Sequence, residues 1–150
     1  MKNMLIAGVT AVVAFVLVSV AIAAPKPTAR SVKVSTAHTS LGQVIVDGRG
    51  RSLYLFEKDT RGHSACSGVC TSYWPPFVTK GKSIAVKGAK QSLLGTIRRG
   101  DGSRQVTYAG HPLYFFSGDT QSGQTNGEGL KDFGAGWYVL MPSGKKIDRD

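Results

Sequence analysis

The pattern of apolar and polar positions divides the chain into two unlike parts. From Leu5 to Val20 the residues are apolar almost throughout, broken only by Gly8, Thr10 and Ser19. Beyond residue 40 the apolar residues come in short runs separated by turns. Gln43-Val44-Ile45-Val46-Asp47 reads as a strand, closed by the turn Asp47-Gly48-Arg49-Gly50, and residues 51–57 read as a second strand. This is the pattern of a hairpin with a short glycine loop. Gln105-Val106-Thr107-Tyr108, a turn at Ala109-Gly110 and residues 111–116 repeat the arrangement. Trp137-Tyr138-Val139-Leu140-Met141 is another β run, closed by Pro142-Ser143-Gly144. Residues 83–87 and 93–98 are weaker strand candidates, and Val32-Lys33-Val34 is the earliest place for a first strand. No long helical periodicity follows the apolar run, and the 19 glycines suit a turn-rich β protein.

The apolar run has the marks of an export signal. A short positive start, Met1-Lys2-Asn3-Met4, precedes it, and the small-x-small site Ala21-Ile22-Ala23 follows. Residues 1–23 are therefore expected to be a signal peptide cut after Ala23. The competing reading is an uncleaved anchor, because the run approaches the ~20 residues that span a bilayer. No cysteine lies near the cut, so a lipid attachment site is not expected there. Residues 24–40, rich in Pro, Lys, Ser and Thr, read as a flexible leader, and 41–150 as a β domain.

Export changes the meaning of the charge. The chain carries a net +10, and loss of Lys2 with the signal leaves +9. A basic exported protein is drawn to anionic surfaces such as phospholipid, acidic glycan or cell-wall polymer. Nucleic acid is the other common partner of basic proteins, but the basic residues here are scattered and the chain is destined for export. No nucleic-acid partner is expected, and no stable membrane span after cleavage.

The β region also repeats itself. Residues 50–60 align without gaps to residues 110–120, with Gly, Leu, Tyr, Phe, Asp and Thr coinciding. A tryptophan follows each copy, Trp74 and Trp137. The repeats run from about 41 to 80 and from about 100 to 146. A lone hairpin cannot bury its apolar face, so two copies are expected to pack into one compact domain.

Within the repeats stand two copies of Tyr-x-aromatic-x-x-Asp: Tyr54-Leu55-Phe56-Glu57-Lys58-Asp59 and Tyr114-Phe115-Phe116-Ser117-Gly118-Asp119. With Cys66-Ser67-Gly68-Val69-Cys70 leading to Trp74-Pro75-Pro76, they resemble a family of bacterial secreted and lipid-anchored repeat proteins of unknown function. The resemblance covers the chain from about Leu41 to Gly144. It implies an envelope location and a repeated β unit, and no catalytic residue. The missing cysteine at the cleavage site departs from the lipid-anchored members and favours a free periplasmic or secreted form.

Two readings of the motif compete. On a strand Tyr54 and Phe56 share one face and Leu53 and Leu55 the other, as do Tyr114 and Phe116 against Leu113 and Phe115. Both faces are apolar, which predicts burial on both sides. Asp59 and Asp119 fall where each strand ends, each followed by Thr, and can fix a turn. The motif then builds core and turn caps. In the other reading the aromatic residues line an exposed groove with an acidic rim for a glycan or peptide, and Tyr54, Trp74, Tyr114 and Trp137 bind if exposed. A hydrolase using Asp59 and Asp119 as a carboxylate pair is a further alternative.

The cysteines carry a second choice. Two nearby cysteines in an oxidising compartment most often form a disulfide, and Ser67-Gly68-Val69 can make the tight turn needed. Alternatively His63, Cys66, Cys70 and His111 form a redox or metal-handling site for copper or zinc. Thr71 in place of a histidine argues against covalent haem attachment. His38 reads as a loop residue. The polar, Gly-rich stretch 117–136 lacks the acidic spacing of a calcium loop and reads as a surface loop. No nucleophile, zincin or phosphate-loop motif is present. The expectation is a mostly β, single-domain, non-enzymatic envelope protein without a cofactor. It would bind an anionic or polar envelope component, with a periplasmic redox or metal- or haem-handling role for the Cys66-Cys70 loop as the alternative.

Overall fold

The computed structural model describes residues 29–148. The expected signal peptide, its cleavage site and the start of the leader lie outside the described residues. Eight strands make up most of the ordered structure: β1 (Val32–Thr39), β2 (Gly42–Asp47), β3 (Tyr54–Phe56), β4 (Ser83–Ala85), β5 (Leu94–Arg98), β6 (Arg104–Tyr108), β7 (His111–Pro112) and β8 (Trp137–Val139). A single turn of helix, α1 (Cys70–Tyr73), precedes Trp74. The strands form three small sheets, ordered β2-β1-β4, β3-β8 and β5-β6-β7.

Each repeat begins with a hairpin. β1 and β2 pair antiparallel from Thr39 with Gly42 to Val34 with Asp47, and β4 joins β1 in parallel. The expected leader at 24–40 is thus corrected at its C-terminal part, because residues 32–39 are a strand paired on both edges. Val34 in its middle is fully buried. In the second repeat β5 and β6 pair antiparallel, and β7 follows a two-residue turn. That turn is Ala109-Gly110, with φ of 51° and 84°. Positive φ at both positions is the turn whose twist matches a hairpin.

Both expected hairpins form at their turns but end sooner than expected, for a common reason. After the Asp47–Gly50 turn, the Val46–Ser52 bridge and the Leu53 N–H to Ile45 O bond of 3.1 Å tie the chain back to β2. It then leaves its neighbour, and β3 pairs with β8 of the other repeat, Tyr54 opposite Val139 and Phe56 opposite Trp137. The second copy behaves the same way. Leu113 N–H bonds Val106 O at 3.0 Å, after which residues 113–117 pair with 73–77 of the first repeat. Phe77, Phe115 and Ser117 N–H donate to Leu113, Pro75 and Tyr73 O at 2.8, 2.8 and 2.9 Å. A strand apolar on both faces gains little as the edge of a two-stranded ribbon, and the crossing buries both faces.

The burial is two-sided, as the alternation predicted. Tyr54, Leu55 and Phe56 are all buried. The Tyr and Phe face joins Trp74, Tyr114, Trp137 and Val139 in one core. The opposite face, with Leu53, Leu55 and Leu113, joins Val34, Ile45, Val106 and Leu140 in a second. The two motif segments lie between these cores.

Candidate functional site

The motif residues meet where the repeats cross. Tyr54 and Tyr114 exchange both backbone bonds, N to O, at 2.9 and 3.0 Å. Their side chains then reach across. Tyr54 Oη donates to Asp119 Oδ2 at 2.5 Å, and Tyr114 Oη donates to Asp59 Oδ2 at 2.7 Å. Each aspartate uses its other oxygen to cap its own turn. Asp59 Oδ1 accepts Ala65 N–H at 2.7 Å, and Asp119 Oδ1 accepts Asn126 N–H at 2.9 Å. The tyrosine of each copy is therefore held by the aspartate of the other, and the arrangement is related to itself by an approximate two-fold.

The rings obey the same relation. Phe56, Trp137, Trp74 and Phe116 form one column, with successive ring centroids 4.0, 3.9 and 4.5 Å apart. The two indoles at its centre are nearly parallel, at 5°. Tyr54 meets Trp74 edge-on at 5.3 Å, and Tyr114 meets Trp137 edge-on at 5.1 Å. Offset and edge-to-face contacts of this kind are the favoured aromatic geometries. Gly127 permits the column to close, because a Cβ there would lie 2.7 Å from the Trp74 ring and 3.0 Å from that of Phe116.

Electrostatics follow from burial. Desolvation, aided by the Asp119 hydrogen bond, pushes the Tyr54 phenol far above its ordinary range. Burial likewise raises Tyr114, opposed by the bond with Ser64. Burial also raises the Asp59 carboxyl, opposed by the Ala65 N–H and the Tyr114 hydroxyl. The two phenols are interior groups, with no ring face open to solvent. Tyr54, Trp74, Tyr114 and Trp137 each have no exposed surface. The groove expected if they were exposed is not formed among the described residues. Asp59 and Asp119 have both oxygens engaged within the protein.

A family of proteins carries this repeat. The profile of a secreted repeat of unknown function matches residues 35–78 and 95–141, which together make up more than half of the chain. The chain belongs to that family of secreted repeats. No characterised protein and no solved structure gives a significant match. The matched segments are the two halves that exchange Tyr–Asp bonds, so the geometry above is that of one secreted repeat clasping the next.

The secreted repeats differ in what joins motif to tryptophan. In the first, Cys66 and Cys70 form a disulfide, and both are buried. Arg99 reaches in from the second repeat, donating to Cys66 O at 2.6 Å, Ser64 Oγ at 2.9 Å and Gln105 Oε1 at 2.6 Å. In the second, the stretch 117–136 is more than a surface loop. Glu128 Oε2 accepts Val139 N–H at 2.7 Å. Asp132 receives both indoles, Trp137 Nε1 on its carbonyl at 3.0 Å and Trp74 Nε1 on its carboxylate at 3.4 Å.

Of the four metal candidates, Cys66 and Cys70 have their sulfurs bonded to each other, so neither offers a thiolate in this form. His63 is exposed and hydrogen-bonds Thr60 through its backbone. His111 is half-buried, and desolvation, with Arg61 nearby, lowers its pKa. Among the described residues no three His, Cys, Asp or Glu side chains are grouped to hold a metal. No helix of the described residues is long and apolar enough to cross a membrane.

Two surface features went unread in the sequence. Tyr73 and Phe133 form an exposed aromatic pair 6.0 Å apart beside Val69. Phe133 has φ 59°, an uncommon conformation for a bulky side chain. Its chain neighbour Asp132 receives both indoles. The other feature is a basic groove at Arg30, Lys80 and Arg104. Composition had marked the charge, but only the fold brings these three distant positions together.

Proposed function

We propose that this secreted repeat protein is a non-enzymatic module of the cell envelope that binds an anionic component through its basic surface. In this reading the signal peptide is cleaved near Ala23 and the mature domain is free in the periplasm or outside the cell. The observation that supports it most is the internal use of the motif. The residues that looked most like a site, Tyr54, Asp59, Tyr114 and Asp119, satisfy one another across the repeat interface. That leaves recognition to the surface, whose excess charge is positive. The same engagement of both carboxylates speaks against the hydrolase alternative, since a general acid or nucleophile must reach substrate.

The test is retention of the exported protein on isolated envelope material across a salt series. Attraction between exposed charges is screened within ~8 Å at physiological ionic strength. Retention that declines steeply with added salt is expected. Retention unchanged by salt, or none at low salt, contradicts the reading.

A further inference from the structure

The basic groove has a constructed floor and rim. Residues 29–31 cross the chain at Gly81, where a Cβ would meet Ala29 O at 2.5 Å, so glycine allows the two segments to touch. Val32 N–H then bonds Lys82 O at 2.9 Å. On the other side Thr79 N–H bonds Arg104 O at 2.9 Å, and the Arg104 guanidinium is held on Gly81 O at 3.3 Å. Between these segments lies a cavity of about 730 Å³. Arg30, Lys80 and Arg104 stand around it, and Val32 and Val78 contribute apolar surface. Val78 is 44% exposed, one of the few large apolar side chains open to solvent.

The charges around the groove are not closed into ion pairs. The described ion pairs involve Arg51 and Lys146, and none engages Arg30, Lys80 or Arg104. The neighbouring acid, Asp101, accepts the N–H and hydroxyl of Ser103, and the three cations of the rim outnumber it. Three cations at a rim over apolar surface suit an amphiphile with an anionic head better than a wholly hydrophilic polyanion, which would leave the valines uncovered.

We propose that this groove binds the phosphodiester headgroup of an anionic phospholipid. Arg30, Lys80 and Arg104 meet the phosphate, and Val32 and Val78 lie against the first methylenes of the acyl chains. The inference rests on the basic-surface reading of function and gives that reading a place and a ligand class.

Co-sedimentation of the exported protein with vesicles tests it, using phosphatidylcholine alone and phosphatidylcholine mixed with phosphatidylglycerol. Binding to the mixed vesicles only is expected. The double variant R30S/K80S, checked for folding by circular dichroism, should bind about thirtyfold more weakly, since each cation near an anionic surface contributes ~1 kcal/mol. Val78→Ser should weaken vesicle binding roughly threefold to tenfold and leave binding of soluble inorganic polyphosphate unchanged. K90S/K145S, two lysines away from the groove, is the control and should lose less.

Equal losses in the two double variants overturn the groove while leaving the general reading intact. Vesicle binding indifferent to Val78→Ser overturns the lipid and leaves a phosphate site. No vesicle binding, with salt-sensitive retention on envelope material preserved, overturns this inference alone. Loss of both overturns the functional reading as well.

Discussion

The two repeats share a motif and differ in the loop that follows it. In the first, residues 60–73 are closed by the Cys66–Cys70 disulfide and braced by Arg99. In the second, residues 120–136 have no cysteine and, beyond the aspartate cap common to both loops, are held by Gln124 and Glu128 through backbone N–H groups. Both loops end by delivering a tryptophan to the same column of rings. The contrast separates what the interface requires from what it tolerates. The crossed tyrosine and aspartate and the stacked indole occur in both halves, whereas the means of holding the loop is free to change.

The heaviest test of that division removes an indole. Trp74→Ala and Trp137→Ala should each cost ~3–5 kcal/mol of stability, as large-to-small core substitutions do. Similar losses in chemical denaturation are expected, because each ring occupies the equivalent place. A loss confined to one would show that the two-fold is only approximate in shape and absent in energy.

Reducing the disulfide separates the loops. Its closed loop is short, so its stabilisation should lie near ~2 kcal/mol. A melting temperature lowered modestly, with the far-ultraviolet spectrum retained, is expected. Proteolysis should then cut in residues 60–73 before 120–136. Equal susceptibility of the two loops would remove the distinction.

Smaller again is the loss of one phenolic hydroxyl. Tyr54→Phe and Tyr114→Phe should each cost ~1–2 kcal/mol, since each leaves a half-buried carboxylate short of a donor. Thermal denaturation of the two variants should rank them close together.

The least effect is confined to alkali. Burial holds both phenols above the ordinary value of 10.0. The unfolded chain loses these protons near pH 10 and the folded one keeps them, so their contribution is intact below pH 10 and lost as pH rises beyond it. Ultraviolet titration should show Tyr54 and Tyr114 ionising only as the domain unfolds. Ionisation of either of these two phenols in the folded protein near the ordinary value would contradict their burial in the network.

Much of this was legible in the chain, and the limits have physical causes. The gapless match of residues 50–60 with 110–120 disclosed the repeat, and apolar residues on both faces of Tyr54-Leu55-Phe56 disclosed two-sided burial. Asp59 and Asp119 announced turn caps by following the strands directly. The crossing was not legible, because a motif copy reads the same whether its aspartate serves its own tyrosine or the other. Those bonds join residues 65 and 55 positions apart, and local pattern carries no register over such distances. β1 was partly concealed by the Pro- and Lys-rich residues before it. Phe133 was invisible for a different reason: its exposed partner Tyr73 lies 60 residues away in the chain.

The central claim is that each tyrosine is clasped by the aspartate of the other repeat, and a pair of double-mutant cycles tests it most directly. Tyr54→Phe would be combined with Asp119→Ala in one cycle and with Asp59→Ala in the other, with stability read by denaturant unfolding. The crossed pair should show a coupling of ~1–3 kcal/mol, and the pair within one motif should be additive to ~0.5 kcal/mol. Coupling between Tyr54 and Asp59, with additivity between Tyr54 and Asp119, would contradict the account.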